Sequence, residues 1–128
     1  MNYFTSKKVE LSFDQAIAKV TEILKEEGFG VLTEIDVKDT LKKKLDVDFK
    51  KYRILGACNP SFAHKALQAE DKIGVMLPCN VIVEEHEDGT VEVSAVNPVA
   101  SMQAVSNKEL QPIADQVKTN LERVIDHL

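Results

Sequence analysis

The sequence is poor in cysteine, and that scarcity excludes one class of protein. Two cysteines among 128 residues cannot form the dense disulfide framework of a small secreted scaffold. Internal repeats, low-complexity segments and linkers are also missing. The length corresponds to about one domain, and a chain of this size can bury roughly two-thirds of its unfolded surface. We therefore expect a single domain over residues 1–128.

Long apolar runs are missing as well. Residues 1–8 lack the basic stretch and following apolar stretch of a signal peptide. The longest candidate for a membrane span, residues 73–83, is interrupted by Pro78 and Asn80 and falls short of the ~20 residues that a span needs. These absences predict a cytoplasmic protein that has no membrane partner and keeps both thiols free.

The chain also lacks an excess of positive charge. Its net charge is −5, and the basic residues 42–44 and 50–51 are diluted by Asp39, Asp46 and Asp48. Binding to nucleic acid usually needs a basic face, so we expect no nucleic-acid partner. The glycine-rich phosphate loops and the metalloprotease and serine-hydrolase motifs are absent too.

What the sequence does contain is a clear alternation of strand and helix patterns. A strand is predicted over residues 3–9, and Ser12 with Gln15 predicts a capping box for a helix that ends at Gly28. Residues 29–37 alternate as a strand does, and Asp36 is a candidate cap for the short helix that follows. Tyr52–Cys58 reads as a buried strand, and Asn59-Pro60 predicts the start of a third helix.

The second half closes with a hairpin and a long helix. Strands are predicted over residues 73–87 and 90–97, and a helix is predicted from about Gln111; residues 98–105 fit either a loop or a short helix. A two-residue hairpin loop would pair Val83 with Ser94. A three-residue loop with Gly89 in the left-handed conformation pairs Val83 with Val93, and we prefer it because apolar residues then share a face.

These elements occur in the order β-α-β-α-β-α-β-β-α. The closing hairpin and the long last helix predict an α+β fold with one mixed or antiparallel sheet and helices mainly on one face. The third helix is expected to bury four apolar side chains: Phe62, Ala63, Ala66 and Leu67.

Cys58 is the first candidate for chemistry. It lies between a strand and a helix, where backbone N–H groups without helical partners favour an anion such as a thiolate. His64, five residues into the helix, could tune that thiol or act as a base. The plainer interpretations are a Cys58 that packs as a small apolar residue and a His64 that faces solvent.

Cys79 is the second candidate, and its surroundings resemble those of Cys58. The two segments read Cys58-Asn59-Pro60 and Pro78-Cys79-Asn80, so each thiol has a proline and a following amide. Proline inside a strand indicates an edge or a bulge, and the preferred register places Cys79 opposite Asn97. If the strands are neighbours, the thiols could meet at one end of the sheet and carry sulfur, form a redox pair or hold a soft metal.

One acidic segment lies at the predicted hairpin and has no assigned function. Residues 84–88 read Glu-Glu-His-Glu-Asp and could attract a cation. An acidic hairpin is more often a solvated edge that blocks aggregation.

Four blocks of the sequence resemble a known family. Residues 28–38, residues 52–67, the Leu-Pro-Cys-Asn-Val of residues 77–81 and the Val-Ser-Ala-Val-Asn-Pro of residues 93–98 are similar, in this order, to the domain of unknown function 302 family. The resemblance implies a curved, mainly antiparallel sheet packed on helices, like that of the TATA-binding protein. It implies no established activity or cofactor, although some members occur in genomic neighbourhoods concerned with sulfur transfer.

The sequence thus leaves three hypotheses open. The first is a small-ligand or sulfur-handling protein, with a small-molecule or sulfur-transfer partner. Its candidate site residues are Cys58, Asn59, His64, Cys79 and Asn80. The second is a non-enzymatic homodimeric interaction module with structural cysteines. The third and weakest is binding of a soft metal or haem iron through Cys58, Cys79 and His64.

Overall fold

The computed structural model describes residues 2–128 as one five-stranded antiparallel sheet with helices packed against it. The five strands are β1 (Phe4–Val9), β2 (Gly30–Asp36), β3 (Tyr52–Cys58), β4 (Cys79–Glu85) and β5 (Val91–Val96). The five α-helices are α1 (Phe13–Glu26), α2 (Val37–Leu45), α3 (Pro60–Ala69), α4 (Pro98–Ser101) and α5 (Leu110–Asp126), and a 3-10 helix covers Ile73–Met76. The strand order across the open sheet is β1-β5-β4-β3-β2.

Helix termini lie where the local sequence predicts them. The Ser12 side chain accepts a hydrogen bond from the Gln15 amide, and the Gln15 side chain accepts one from the Ser12 amide, which confirms the capping box. Gly28, with φ of +84°, follows the end of α1 in the conformation that glycine tolerates best. Asp36 caps α2 by accepting from the Asp39 amide.

The hairpin register agrees with the three-residue loop. Val83 pairs with Val93 and Val81 with Ala95, and Gly89 has a φ of +86°. These four side chains have almost no exposed surface, since they face α1 and α5. The preference for one apolar face therefore selected the correct pairing.

The expected strand over residues 73–87 is too long. Its first four residues form the 3-10 helix, the Leu77–Pro78 peptide bond is cis, and β4 begins only at Cys79. Proline has no amide hydrogen for a strand ladder, so β4 starts after Pro78 rather than including it. The expectation of an edge strand or bulge is also wrong, because β4 lies at the centre of the sheet and pairs with β3 and β5 without a shift of register.

The main core fills the space between the sheet and helices α1 and α5. Alternate residues of each strand point to the other face, where Ser6, Ser94, Ile82, Ile54 and Ile35 form one row of cross-strand neighbours. The helices cover only the face of the sheet that carries the main core, as the predicted α+β fold requires. Within residues 2–128, none of the helices combines the length and apolar character needed to cross a bilayer.

Candidate functional site

A cleft of about 330 Å³ opens where β3 ends and β4 begins. Its walls come from the end of the sheet and from helices α3, α4 and α5. The lining residues are Phe29, Leu32, Thr33, Ala57, Cys58, Asn59, Phe62, Ala63, Ala66, Leu67, Leu77, Pro78, Cys79, Pro98, Met102, Ile113, Ala114 and Val117. None of them is charged, and only Thr33, Asn59 and the two cysteines carry a polar or thiol group. A small concave site with few polar groups is typical of ligand pockets.

Glycine at position 56 shapes the sheet end of this cleft. Gly56 pairs with Thr33 on β2 and with Asn80 on β4. A Cβ at this position would overlap the Thr33 hydroxyl oxygen and would lie 2.8 Å from Cγ of Pro78. The absence of a side chain therefore lets Thr33 and Pro78 pack together over β3, and both contribute to the lining.

The structure brings Cys58 and Cys79 to the same cleft. They lie on neighbouring strands, where Cys79 pairs with Ala57, and both thiols are partly buried and free of disulfides. Burial, with a smaller contribution from the neighbouring Cys58, raises the pKa of Cys79 from 9.0 to about 11. Cys79 therefore stays a neutral thiol at neutral pH, and a neutral thiol is a poor nucleophile and metal ligand.

Cys79 does not face Asn97 in a strand ladder. The β4–β5 ladder ends at the pair Val81–Ala95. Beyond it, Asn97 turns away to cap α4, accepting from the Val99 and Ala100 amides and donating to the Asn2 carbonyl. The preference of Asn for helix caps outweighs continued strand pairing here.

Most amides at the start of α3 are already occupied. The Asn59 side chain accepts from the Phe62 amide, the Asn59 carbonyl accepts from the Ala63 amide, and Pro60 has no N–H. Of the first four helical residues, this leaves only the Ser61 amide without a partner among residues 2–128. The helix start therefore offers a Cys58 thiolate fewer hydrogen-bond donors than the sequence suggested.

The other two predicted site residues lie outside the cleft. His64 is exposed on α3, as the solvent-facing interpretation expected, and Asn80 is exposed on β4. Neither lines the cleft, so the structure groups Cys58, Asn59 and Cys79 and separates them from His64 and Asn80. Leu67 was expected to be buried but is 45% exposed. The side of α3 on which it lies borders the cleft and is not covered by packed core.

The soft-metal set is not assembled either. Among residues 2–128, one group of three or more His, Cys and carboxylate side chains has its ligand atoms within 4.8 Å of one another; it consists of Glu84, His86 and Glu92 and includes neither cysteine. Glu84 is paired with Lys50 at 2.7 Å, and Glu92 is bonded to His86 and to the Ser6 hydroxyl. The two hydrogen bonds lower the pKa of Glu92.

Sequence reasoning missed most of the cleft wall. Leu32 and Thr33 on β2, Met102 after α4 and Ile113 on α5 come from three separate parts of the chain, and no motif connects them. Gly56 was the available signal, because a glycine inside a buried strand indicates a close approach by another group.

The fold and the cleft define the class of this protein: a small α+β protein with an open antiparallel sheet and an apolar cleft at one end of it. The family model described as "Domain of unknown function DUF302" matches residues 5–128. This chain therefore belongs to the DUF302 family, as the four sequence blocks indicated.

Two relatives agree with this placement. An uncharacterized protein from Aquifex aeolicus (strain VF5) is 31% identical over 113 residues, which cover 79% of this chain and 77% of that protein. The crystal structure of an uncharacterized conserved DUF302 protein from Bacillus stearothermophilus has a TM-score of 0.91 and 28% identity, and the match covers 98% of each chain. Both relatives are described as uncharacterized, so neither supplies an activity.

Proposed function

We propose that this protein binds a small, mainly apolar molecule in the cleft and presents the Cys58 thiol to it. The observation that carries the proposal is the 330 Å³ cleft itself, with 14 apolar residues among the 18 that line it. When a ligand covers apolar surface that is otherwise exposed to water, the free energy of the system falls, which favours binding. The volume lies at the small end of ligand pockets, which favours a compact ligand.

Cys58 is the better candidate for the functional thiol. It lines the cleft and is partly exposed, whereas burial raises the pKa of Cys79 and keeps that thiol neutral. In the finer form of the proposal, Cys58 handles sulfur or a thiol-bearing partner in the cleft. Cys79 then serves as part of the apolar wall, since it packs against the main core.

The first experiment measures ligand binding with the neutral fluorescent probe N-phenyl-1-naphthylamine. Wild type should bind the probe, and Ala63→Phe should weaken binding at least roughly tenfold because the added ring occupies the cleft. Ala18→Phe is the matched control, since Ala18 is exposed on α1 and does not line the cleft. Failure of wild type to bind, or equal binding by Ala63→Phe, would contradict the proposal.

The second experiment tests the thiol. Alkylation by iodoacetamide should be faster at Cys58 in Cys79→Ala than at Cys79 in Cys58→Ala, and the probe should slow the first reaction. Mass spectrometry of protein purified without oxygen would show whether Cys58 carries an added sulfur atom. A higher alkylation rate at Cys79 than at Cys58, or a rate at Cys58 that is the same with and without the probe, would contradict the assignment of Cys58 to the site.

A second candidate function is homodimerisation through the sheet face that the helices leave open. That face carries Tyr3, Phe4 and Ile35, which are 71%, 40% and 47% exposed, together with the partly buried Ile82. Exposed apolar patches often mark interaction sites. Sedimentation should then show a dimer in wild type and a monomer in Ile82→Lys, whereas a monomeric wild type at all concentrations would exclude this candidate.

A further inference from the structure

Four side chains in the cleft have hydrogen-bonding groups that no other side chain or backbone atom of residues 2–128 engages. They are the Thr33 hydroxyl, the thiols of Cys58 and Cys79, and the Nδ2 amide group of Asn59. The Cys79 side chain packs against the main core and forms part of the apolar wall, which leaves Thr33, Cys58 and Asn59 as candidates for contact with a ligand. The Asn59 side chain uses only its Oδ1, which accepts from the Phe62 amide at 3.3 Å. Because this hydrogen bond holds the orientation of the amide plane, Nδ2 is a free donor in a fixed position.

Thr33, Cys58 and Asn59 come from the paired strands β2 and β3 and from the residue that follows β3. Thr33 packs directly over Gly56, and Cys58 lies two residues further along the same side of β3. Asn59 follows Cys58, with its Nδ2 3.0 Å from the position that a Cβ on Gly28 would occupy. The candidate polar contacts of the cleft are therefore contributed by β2, β3 and the cap of α3, and not by α4 or α5.

The remainder of the cleft is apolar and uncharged. Helices α3 and α5 contribute Ala66, Leu67, Ile113 and Val117 to it. The Lys65 ammonium group lies 5.7 Å from the centre of the Phe62 ring but Lys65 is exposed and does not line the cleft. An ionised ligand would lose its hydration here without gaining a charged partner, which is unfavourable.

We infer that the cleft selects neutral, mainly apolar molecules that carry one hydrogen-bond acceptor, such as an alkyl ketone, at one end. The inference rests on the proposed ligand-binding function and adds the chemical class of the ligand. The acceptor group lies against Thr33, Cys58 and Asn59, and the apolar body extends along α3 and α5. A few convergent polar groups in an apolar pocket fix the orientation of a ligand in this way.

The test displaces N-phenyl-1-naphthylamine with three compounds of equal chain length: a medium-chain alkyl ketone, the alkane and the carboxylate. The ketone should bind roughly fivefold more tightly than the alkane, as one added hydrogen bond would provide. The carboxylate should bind most weakly, because its charge has no partner in the lining. Ketone and alkane of equal affinity, or a carboxylate that binds best, would overturn the inference.

Matched variants locate the acceptor. Thr33→Val removes the hydroxyl with little change of shape, and Asn59→Ser keeps a side chain that caps helices well but loses Nδ2. Each should reduce the preference for ketone over alkane, while Thr5→Val, a strand position outside the cleft, should leave it unchanged. An unchanged preference in both cleft variants would overturn the assigned position of the acceptor.

The two proposals fail in different ways. If wild type does not bind the probe, the ligand-binding function fails, and this inference fails with it. If the probe binds and Ala63→Phe prevents binding, but ketone and alkane displace it equally, only the inferred ligand class is wrong.

Discussion

The two ends of this molecule are packed very differently. Between the sheet and helices α1 and α5, residues such as Val20, Leu24, Leu55 and Val83 have no exposed surface. Where β3 ends, the helices leave a 330 Å³ cleft, and Leu67 beside it remains 45% exposed. Protein interiors are otherwise close-packed, with few voids larger than a water molecule. We therefore expect the packed end to contribute most of the stability, and the proposed ligand site lies at the open end.

The most direct way to break this comparison is to delete the same atoms at each end. Leu24→Ala should lower the free energy of unfolding by about 3 kcal/mol, because a fully buried side chain is replaced by a cavity. Leu67→Ala should cost less than about 1 kcal/mol, because Leu67 is half-exposed at the cleft. Urea unfolding measures both values. Equal losses would show that the cleft region is as tightly packed as the core.

A second substitution examines the boundary between the two regions. Gly56→Ala should destabilise the protein by about 1–3 kcal/mol, because the new Cβ would overlap Thr33 and press on Pro78. Gly30→Ala is the matched control on the neighbouring strand, where a Cβ would meet nothing within 4 Å, and it should change stability by less than about 0.5 kcal/mol. Similar thermal midpoints for the two variants would contradict the packing described at Gly56.

Local chemistry made much of the packed end predictable. The hairpin register followed from matching Val83 with Val93, and the start of α1 followed from Ser12 and Gln15. At the cleft end, Asn59-Pro60 marked the start of α3 for an equally local reason. Each of these features depends on residues that are close in sequence or on strict alternation within one pair of strands.

The cleft could not be predicted in the same way. Its volume depends on how α3, α4 and α5 pack against the strand ends, and tertiary packing leaves no periodic signal in the sequence. Pro78 was misread because the same residue that interrupts a strand can also precede one. His64 and Asn80 were grouped with the cysteines by closeness in sequence, although both side chains are exposed and outside the cleft.

The burial of Cys79 makes the comparison depend on pH. Its pKa is raised from 9.0 to about 11, so between these values the unfolded chain binds fewer protons than the folded protein. The free energy of unfolding must then fall as pH rises. Between pH 7 and pH 10, the free energy of unfolding of wild type should fall by about 1.4 kcal/mol more than that of Cys79→Ala. Urea unfolding of both proteins at both pH values measures this difference. Parallel losses in the two proteins would mean that Cys79 is not buried at the cleft.

The smallest expected effect concerns the cap that joins β3 to α3. Asn59→Ala should lower the free energy of unfolding by about 1 kcal/mol, because the Phe62 amide loses its acceptor. Asn97→Ala should cost more, since Asn97 is buried and its side chain also donates to the Asn2 carbonyl at 2.9 Å. Chemical unfolding of the two variants ranks them. A larger loss for Asn59→Ala would mean that the cleft end contributes more to stability than its open packing implies.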